Sequence, residues 1–216
     1  MNKFKLIACI LLVSFAYTSD FKLSGDPGEI FAFRLDKEKF NDYMIIDRDG
    51  TKFVLVPLPF NKQGSFVEIN GIKIFVNEKN FGESRIVIKD KSKVELSQED
   101  SNRAYLESQE IKKALKIYSK GNYPNLNFIV PVEGIISSRY GKKRFINNKP
   151  RSPHLALDIA APNGTKVVSP SNGKIILIGD FFYSGKFIMI DHGYGIISTY
   201  SHLDNIDVSI NEVVLS

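Results

Sequence analysis

Pro153-His154-Leu-Ala-Leu-Asp158-Ile-Ala-Ala-Pro162 decides how this chain is read. An imidazole and a carboxylate stand in one short apolar segment bracketed by prolines. The chain has 3 histidines, His154, His192 and His202, and all lie in its last third. Zinc takes His nitrogen and carboxylate oxygen as ligands, so His154 and Asp158 are a candidate metal pair. Their spacing leaves the geometry open. On a helix, positions i and i+4 share a face. On an extended strand they stand about 13 Å apart, too far for one ion with bonds near 2 Å. Leu155, Leu157 and Ile159 alternate as in a strand, and the prolines leave little room for a helix. The segment therefore reads as a loop entering a strand, with a bend between the two residues. A buried strand carrying a structural Asp fits the spacing equally well.

Outward from this segment the apolar runs are short. Val167-Val168, Lys174-Ile-Ile-Leu-Ile178, Phe187-Ile-Met-Ile190 and Gly195-Ile-Ile-Ser-Thr-Tyr200 read as strands separated by Gly or Asn-Gly turns. Tyr200 and His202 have period-two spacing and are expected on one strand face. Upstream, Ser97-Gln-Glu-Asp100 reads as a helix start with Ser97 as N-cap. That helix is expected to run to about Ser119, stopped by Gly121 and Pro124, with Ala104, Ile111, Leu115 and Tyr118 as its apolar stripe. Residues 20–93 carry strand-like runs at Ile30–Leu35, Tyr43–Ile46, Lys52–Pro57, Ser65–Ile69, Ile72–Val76 and Arg85–Lys89. Asp49-Gly50 and Asn70-Gly71 supply tight turns between them. Such a run of strands without a helix pattern suggests a small sandwich.

Composition bounds the class. Hydrophobic residues make up 43% and charged residues 25%, which excludes a disordered chain. At the N-terminus, Lys3 and Lys5 precede the apolar run Leu6–Ala16, and Ser14-Phe-Ala16 offers a small-x-small cleavage site. This pattern reads as a secretory signal; the run is shorter than the ~20 residues that span a bilayer. Cys9 is the only cysteine. Cleavage after Ala16 would leave an exported protein without disulfides, held by packing alone. A net charge of +5 suits anionic wall polymers or lipid surfaces. Nucleic acid is not expected as a partner, because no binding motif or dense basic run is present. Lys142-Lys-Arg144, with Lys149 and Arg151, is the densest basic patch and lies beside the candidate pair.

A longer pattern carries a resemblance. Ile136-Ser-Ser-Arg-Tyr-Gly141, His154-Leu-Ala-Leu-Asp158, Gly164-Thr-Lys-Val167, Asn172-Gly-Lys-Ile175, Ile190-Asp-His-Gly193 and Thr199-Tyr-Ser-His-Leu203 follow one another in fixed order over roughly residues 128–212. This segment resembles the lysostaphin-type zinc metallopeptidases, which cut peptide bonds in peptidoglycan. The resemblance implies zinc as cofactor, His154 and Asp158 as two metal ligands, His202 as a catalytic histidine, and His192 as structural. Leu96–Asp100, Arg103 and Glu107 resemble the segment that joins an immunoglobulin-like domain to the peptidase domain in exported members. The family closes its site with a His-x-His motif whose second histidine is the third ligand, and no residue follows Ser216. The resemblance thus implies a C-terminally incomplete domain whose zinc binding and activity are crippled. It also admits a non-catalytic module that binds or activates a wall amidase.

The expected architecture is mainly β. Residues 1–16 form the signal peptide, 17–95 a small β-sandwich, 96–122 a linker helix, and 123–216 an antiparallel β-sheet peptidase domain. Peptidoglycan peptides and cell-envelope proteins are the expected partners, in the periplasm or envelope, with no transmembrane segment after signal cleavage.

Overall fold

A computed structural model describes residues 23–35, 40, 43–89, 95–120 and 126–216. The expected signal segment lies outside the described residues. The chain divides into two compact units, one ending at Gly82 and one comprising Glu83–Ser216.

In the first unit the two Gly-containing turns set the pairing. Asp49 and Gly50 have φ of 54° and 77°, Asn70 and Gly71 of 47° and 82°. Two consecutive left-handed residues make a type I′ reversal, which matches strand twist and favours Asn-Gly or Asp-Gly. The first turn joins β3 (Met44–Arg48) to β4 (Thr51–Pro57), with Arg48 opposite Thr51. The second joins β5 (Ser65–Ile69) to β6 (Ile72–Val76), with Ile69 opposite Ile72. Strand β2 (Ile30–Arg34) completes one sheet in the order β2-β4-β3, and β1 (Ser24–Gly25) completes another in the order β1-β6-β5. Phe31, Val54 and Val56 from one sheet meet Ile69, Ile74 and Val76 from the other in a single core that also holds Phe40 and Leu58. This is a small two-sheet sandwich. Each such side chain contributes about 1.5–3 kcal/mol by leaving water.

The second unit begins with β7 (Glu83–Ile86), which pairs in parallel with β9 (Lys143–Ile146). The run expected as a strand at Arg85–Lys89 therefore starts earlier and ends at Ile86. It belongs with this unit and not with the N-terminal strands. Beyond Ile86 the amide side chain of Asn147 stands in for a strand: it accepts from Ile88 N (2.9 Å) and donates to Ile88 O (3.0 Å). Helix α1 (Gln98–Ala114) starts as expected, with the Ser97 hydroxyl accepting from Asp100 N at 3.0 Å. It ends short of Ser119. The Ser119 carbonyl instead accepts from Tyr194 N, and Tyr118 packs edge-on against Tyr194. Ile111 and Ala114 form its inward face, while Leu115 is exposed, contrary to the expected stripe.

Strands β8 (Ile135–Ser138) and β11 (Asp158–Ala160) pair with each other, and β10 (Lys149–Arg151) pairs with β9. The largest sheet has the order β14-β13-β12-β15, built from β12 (Gly173–Phe181), β13 (Gly185–Asp191), β14 (Ile197–Leu203) and β15 (Val213–Val214). Leu177, Phe181, Phe187 and Met189 on one face of its central hairpin pack against Ala114 of α1. Arg103 and Glu107, paired with each other at 2.7 Å, hold the end of β12: Arg103 donates to Asp180 O and Glu107 accepts from Phe182 N. Those two residues of the linker resemblance thus lock helix to sheet. Val167-Val168 forms no strand; Val168 makes a single backbone bond to Pro131 O. Among the described residues the architecture is mainly β with one α-helix, as the sequence reading expects.

Candidate functional site

His154 is fixed by its backbone before its side chain is considered. Gly141 N donates to His154 O (2.6 Å), and His154 N donates to Lys142 O (2.9 Å). Two residues thus oppose one, with Gly141 at φ 88°. That is a glycine-type β-bulge, a device that re-aims a side chain beside a functional site. A residue with a Cβ adopts this φ only under strain.

The ring is then oriented by the strand next to it. Nδ1 lies 3.2 Å from the Arg139 carbonyl and 3.3 Å from the Ser138 hydroxyl. A carbonyl can only accept, so its contact assigns the proton to Nδ1. In the neutral ring Nε2 then keeps a lone pair, and this nitrogen points at Asp158 Oδ1, 3.0 Å away. The bend needed to achieve this falls at Ala156, between the two residues, and Asp158 opens β11. Strand β8 supports both partners, because Asp158 is the register partner of Ser138, with an irregularity before Ile159. The loop-into-strand reading holds. A lone pair facing a carboxylate 3 Å away requires a proton or a cation between them. The donor set, one His nitrogen and one Asp oxygen, fits zinc. A ligating histidine commonly donates its second N–H to a carbonyl, as His154 does. The His154 side chain is 10% exposed and that of Asp158 is 53% exposed, so the pair opens to solvent on the carboxylate side.

His202 lies in β14 and is exposed. Its φ is 59°, and its N–H donates to Ser184 O at 2.7 Å. The β13–β14 register shifts here: Leu203 pairs with Lys186 but Tyr200 with Ile188. One extra residue on β14 makes a bulge, which interrupts the period-two count that puts Tyr200 and His202 on one face. A left-handed non-glycine residue is a strained feature that concentrates at functional positions. His202 makes no hydrogen bond to His154 or Asp158. Among the described residues, no three His, Cys, Asp or Glu side chains gather in a group that could hold a metal.

His192 is the opposite case. It is buried, with Nδ1 on the Asn172 carbonyl and Nε2 on the Ser198 hydroxyl, both at 2.8 Å. Phe128 packs edge-on against its ring. Both nitrogens are occupied by the fold. A Cβ on Gly173 would meet His192 Nδ1 at 2.8 Å, so Asn172-Gly173 and Asp191-His192 are two sides of one packed contact. Burial raises the pKa of the neighbouring Tyr200 phenol, and a bond with Ser198 opposes that rise.

Residues 152–216 match Peptidase family M23. The C-terminal part of this chain is a peptidase family M23 domain. The matched span contains His154, Asp158, His192 and His202, whereas β8 and the Gly141 bulge lie upstream of it. A metalloprotease of Buchnera aphidicola, itself described as uncharacterized, is 36% identical over 80 residues, which are 37% of this chain and 21% of that one. The peptidoglycan DD-endopeptidase ShyB of Vibrio cholerae is 36% identical over 62 residues, 29% of this chain and 15% of ShyB. The chain thus spans about a fifth of one relative's length and less of the other's. A crystal structure from Pseudomonas aeruginosa described as a peptidase M23 superposes with a TM-score of 0.66 at 27% identity, covering 91% of this chain and 80% of that one. Sequence reasoning singled out His154 and Asp158 but not their supports, Arg139 and Lys142. The Ile136–Gly141 motif was the available signal, since a glycine at a fixed distance before the histidine is what a bulge requires.

Proposed function

We propose that this chain is a zinc metalloendopeptidase acting on peptide bonds of peptidoglycan in the cell envelope, with His154 and Asp158 as metal ligands. The observation that carries the reading is the 3.0 Å approach of His154 Nε2 to Asp158 Oδ1. The name of the V. cholerae relative supports the substrate class. Zinc held there supplies Lewis-acid activation of the scissile carbonyl and of a water. A catalytic zinc site takes three protein ligands, so a third donor must join this pair in the active form. His154 holds its ring through Arg139 and the bulge, and Asp158 holds a negative charge at the open side of the site. The reading assigns His202, exposed on its bulge, the role of taking and returning a proton. Export rests on Lys3, Lys5 and the apolar run Leu6–Ala16. Among the described residues no helix is long and apolar enough to cross a membrane.

Zinc uptake and cleavage of cross-linked muropeptides, measured on one preparation, test the assignment. His154→Ala and Asp158→Ala are expected to lose both. His202→Ala is expected to keep zinc and to lose about 100-fold or more in cleavage rate. Full zinc uptake by Asp158→Ala would contradict the ligand assignment. Undiminished cleavage by His202→Ala would contradict its catalytic role.

A further inference from the structure

Charge on the β9–β10 hairpin has a sidedness that folding does not require. Cross-strand partners share a sheet face. Ser84, Arg144 and Arg151 are successive partners across β7, β9 and β10, and so are Ile86, Ile146 and Lys149. Arg144, Lys149 and Arg151 therefore stand on one face. The other face carries Glu83, Arg85 and Lys143. There Arg85 pairs with Glu83 at 2.9 Å and stacks over the Phe145 ring at 4.1 Å. The carboxylate of this sheet is thus engaged on the far side. Among the described residues, none of Arg144, Lys149 and Arg151 forms an ion pair. Arg144 and Arg151 are directly opposite each other, and like charges so placed are destabilising. Arg144 is also held in position: its Nε donates to Ser152 O at 2.9 Å, which leaves its terminal N–H groups for another acceptor. A guanidinium presented in this way matches a carboxylate. The hairpin leads directly to the metal pair, with Arg151 separated from His154 by about 10 Å of extended chain.

We propose that Arg144, Lys149 and Arg151 form an anion-recognition face that holds carboxylate groups of a peptide substrate presented to the His154–Asp158 pair. The inference rests on the peptidase reading of that pair and adds the substrate class, an acidic peptide. A peptide is favoured over a lipid surface for two reasons. The cations are fewer than the clusters of about 4–8 that hold proteins on anionic membranes. One of them is also immobilised by a backbone bond, which suits a fixed partner geometry.

The test uses the full chain and a fluorescent pentapeptide bearing two side-chain carboxylates, beside the same peptide with both amidated. Binding is read by anisotropy, so cleavage is not needed. The unsubstituted chain is expected to prefer the acidic peptide by about tenfold or more, the scale of one charge-assisted hydrogen bond. In Lys149→Gln/Arg151→Gln, at exposed positions where the fold is not at risk, the preference is expected to collapse towards one while zinc uptake is unchanged. Equal binding of the two peptides, or an unchanged preference in the double variant, overturns the proposal. Tighter binding to phosphatidylglycerol vesicles than to the acidic peptide, lost in the same variant, also overturns it. Acid-selective binding by a chain that cleaves neither peptide nor muropeptide would sink the peptidase reading and leave this face standing.

Discussion

His154 and His192 are 8% and 4% exposed, lie in the same unit, and each place Nδ1 against a backbone carbonyl. They differ at the second nitrogen. That of His192 meets the Ser198 hydroxyl, which can donate, so the contact is complete within the protein. That of His154 meets a carboxylate, which cannot donate when ionised. One histidine is pinned at both nitrogens, and the other meets a carboxylate in a contact that a proton or a cation completes. Burial alone does not separate them; the chemistry of the partner does. The Asp158 side chain, at 53% exposed, keeps the second contact open to solvent.

That contrast can be broken most forcefully at the pin. His192→Ala leaves the Asn172 carbonyl and the Ser198 hydroxyl without their partner in a partly buried site and removes a buried ring, a loss of about 2 kcal/mol. Equilibrium denaturation should show it, whereas His154→Ala should cost under about half as much in the absence of metal. Equal losses would remove the distinction.

The next largest effect is expected at the bulge. Gly141→Val forces a β-branched residue into φ 88° and shifts the backbone that aims His154. Zinc affinity should fall about 10–100-fold, the scale seen when groups supporting a ligand are lost. Unchanged affinity would show that the bulge does not position the ring.

The smallest effect belongs to the other unit. Asp26 accepts from Lys79 and from Asn77, and these bonds hold its carboxyl below the ordinary value of 3.8. A lowered folded-state value means stability that is present above about pH 4 and fades as pH falls through the folded value. Lys79→Gln should remove a few tenths of a kcal/mol at pH 7 and flatten acid unfolding of that unit. The metal pair should not respond. A change in zinc uptake would link what the fold keeps in separate units.

Much of this was legible because local chemistry decided it. Asp49-Gly50 and Asn70-Gly71 demanded left-handed turns, and β5 and β6 fall at the expected residues. The prolines around His154 and Asp158 forced a bend into a segment too short for a helix. Where pairing is non-local, the sequence is silent. The strand at Glu83–Ile86 is fixed by β9, some sixty residues away. The hairpin turn at Asn147-Asn148 has φ of 48° and 62° without a glycine to signal it. The bulge at His202 depends on one extra residue in β14, which no alternation of apolar residues reports. Helix α1 ends before Ser119, whose carbonyl accepts from the distant Tyr194 N.

The central claim is that His154 Nε2 and Asp158 form half of a metal site while His192 is closed. Nitrogen-15 NMR of the 3 histidine rings during zinc titration tests it directly. The account predicts that the His154 Nε2 resonance moves to a metal-bound position, with Nδ1 still protonated, while both His192 nitrogens stay unchanged. A His154 ring that ignores zinc, or a His192 ring that responds to it, would contradict the account.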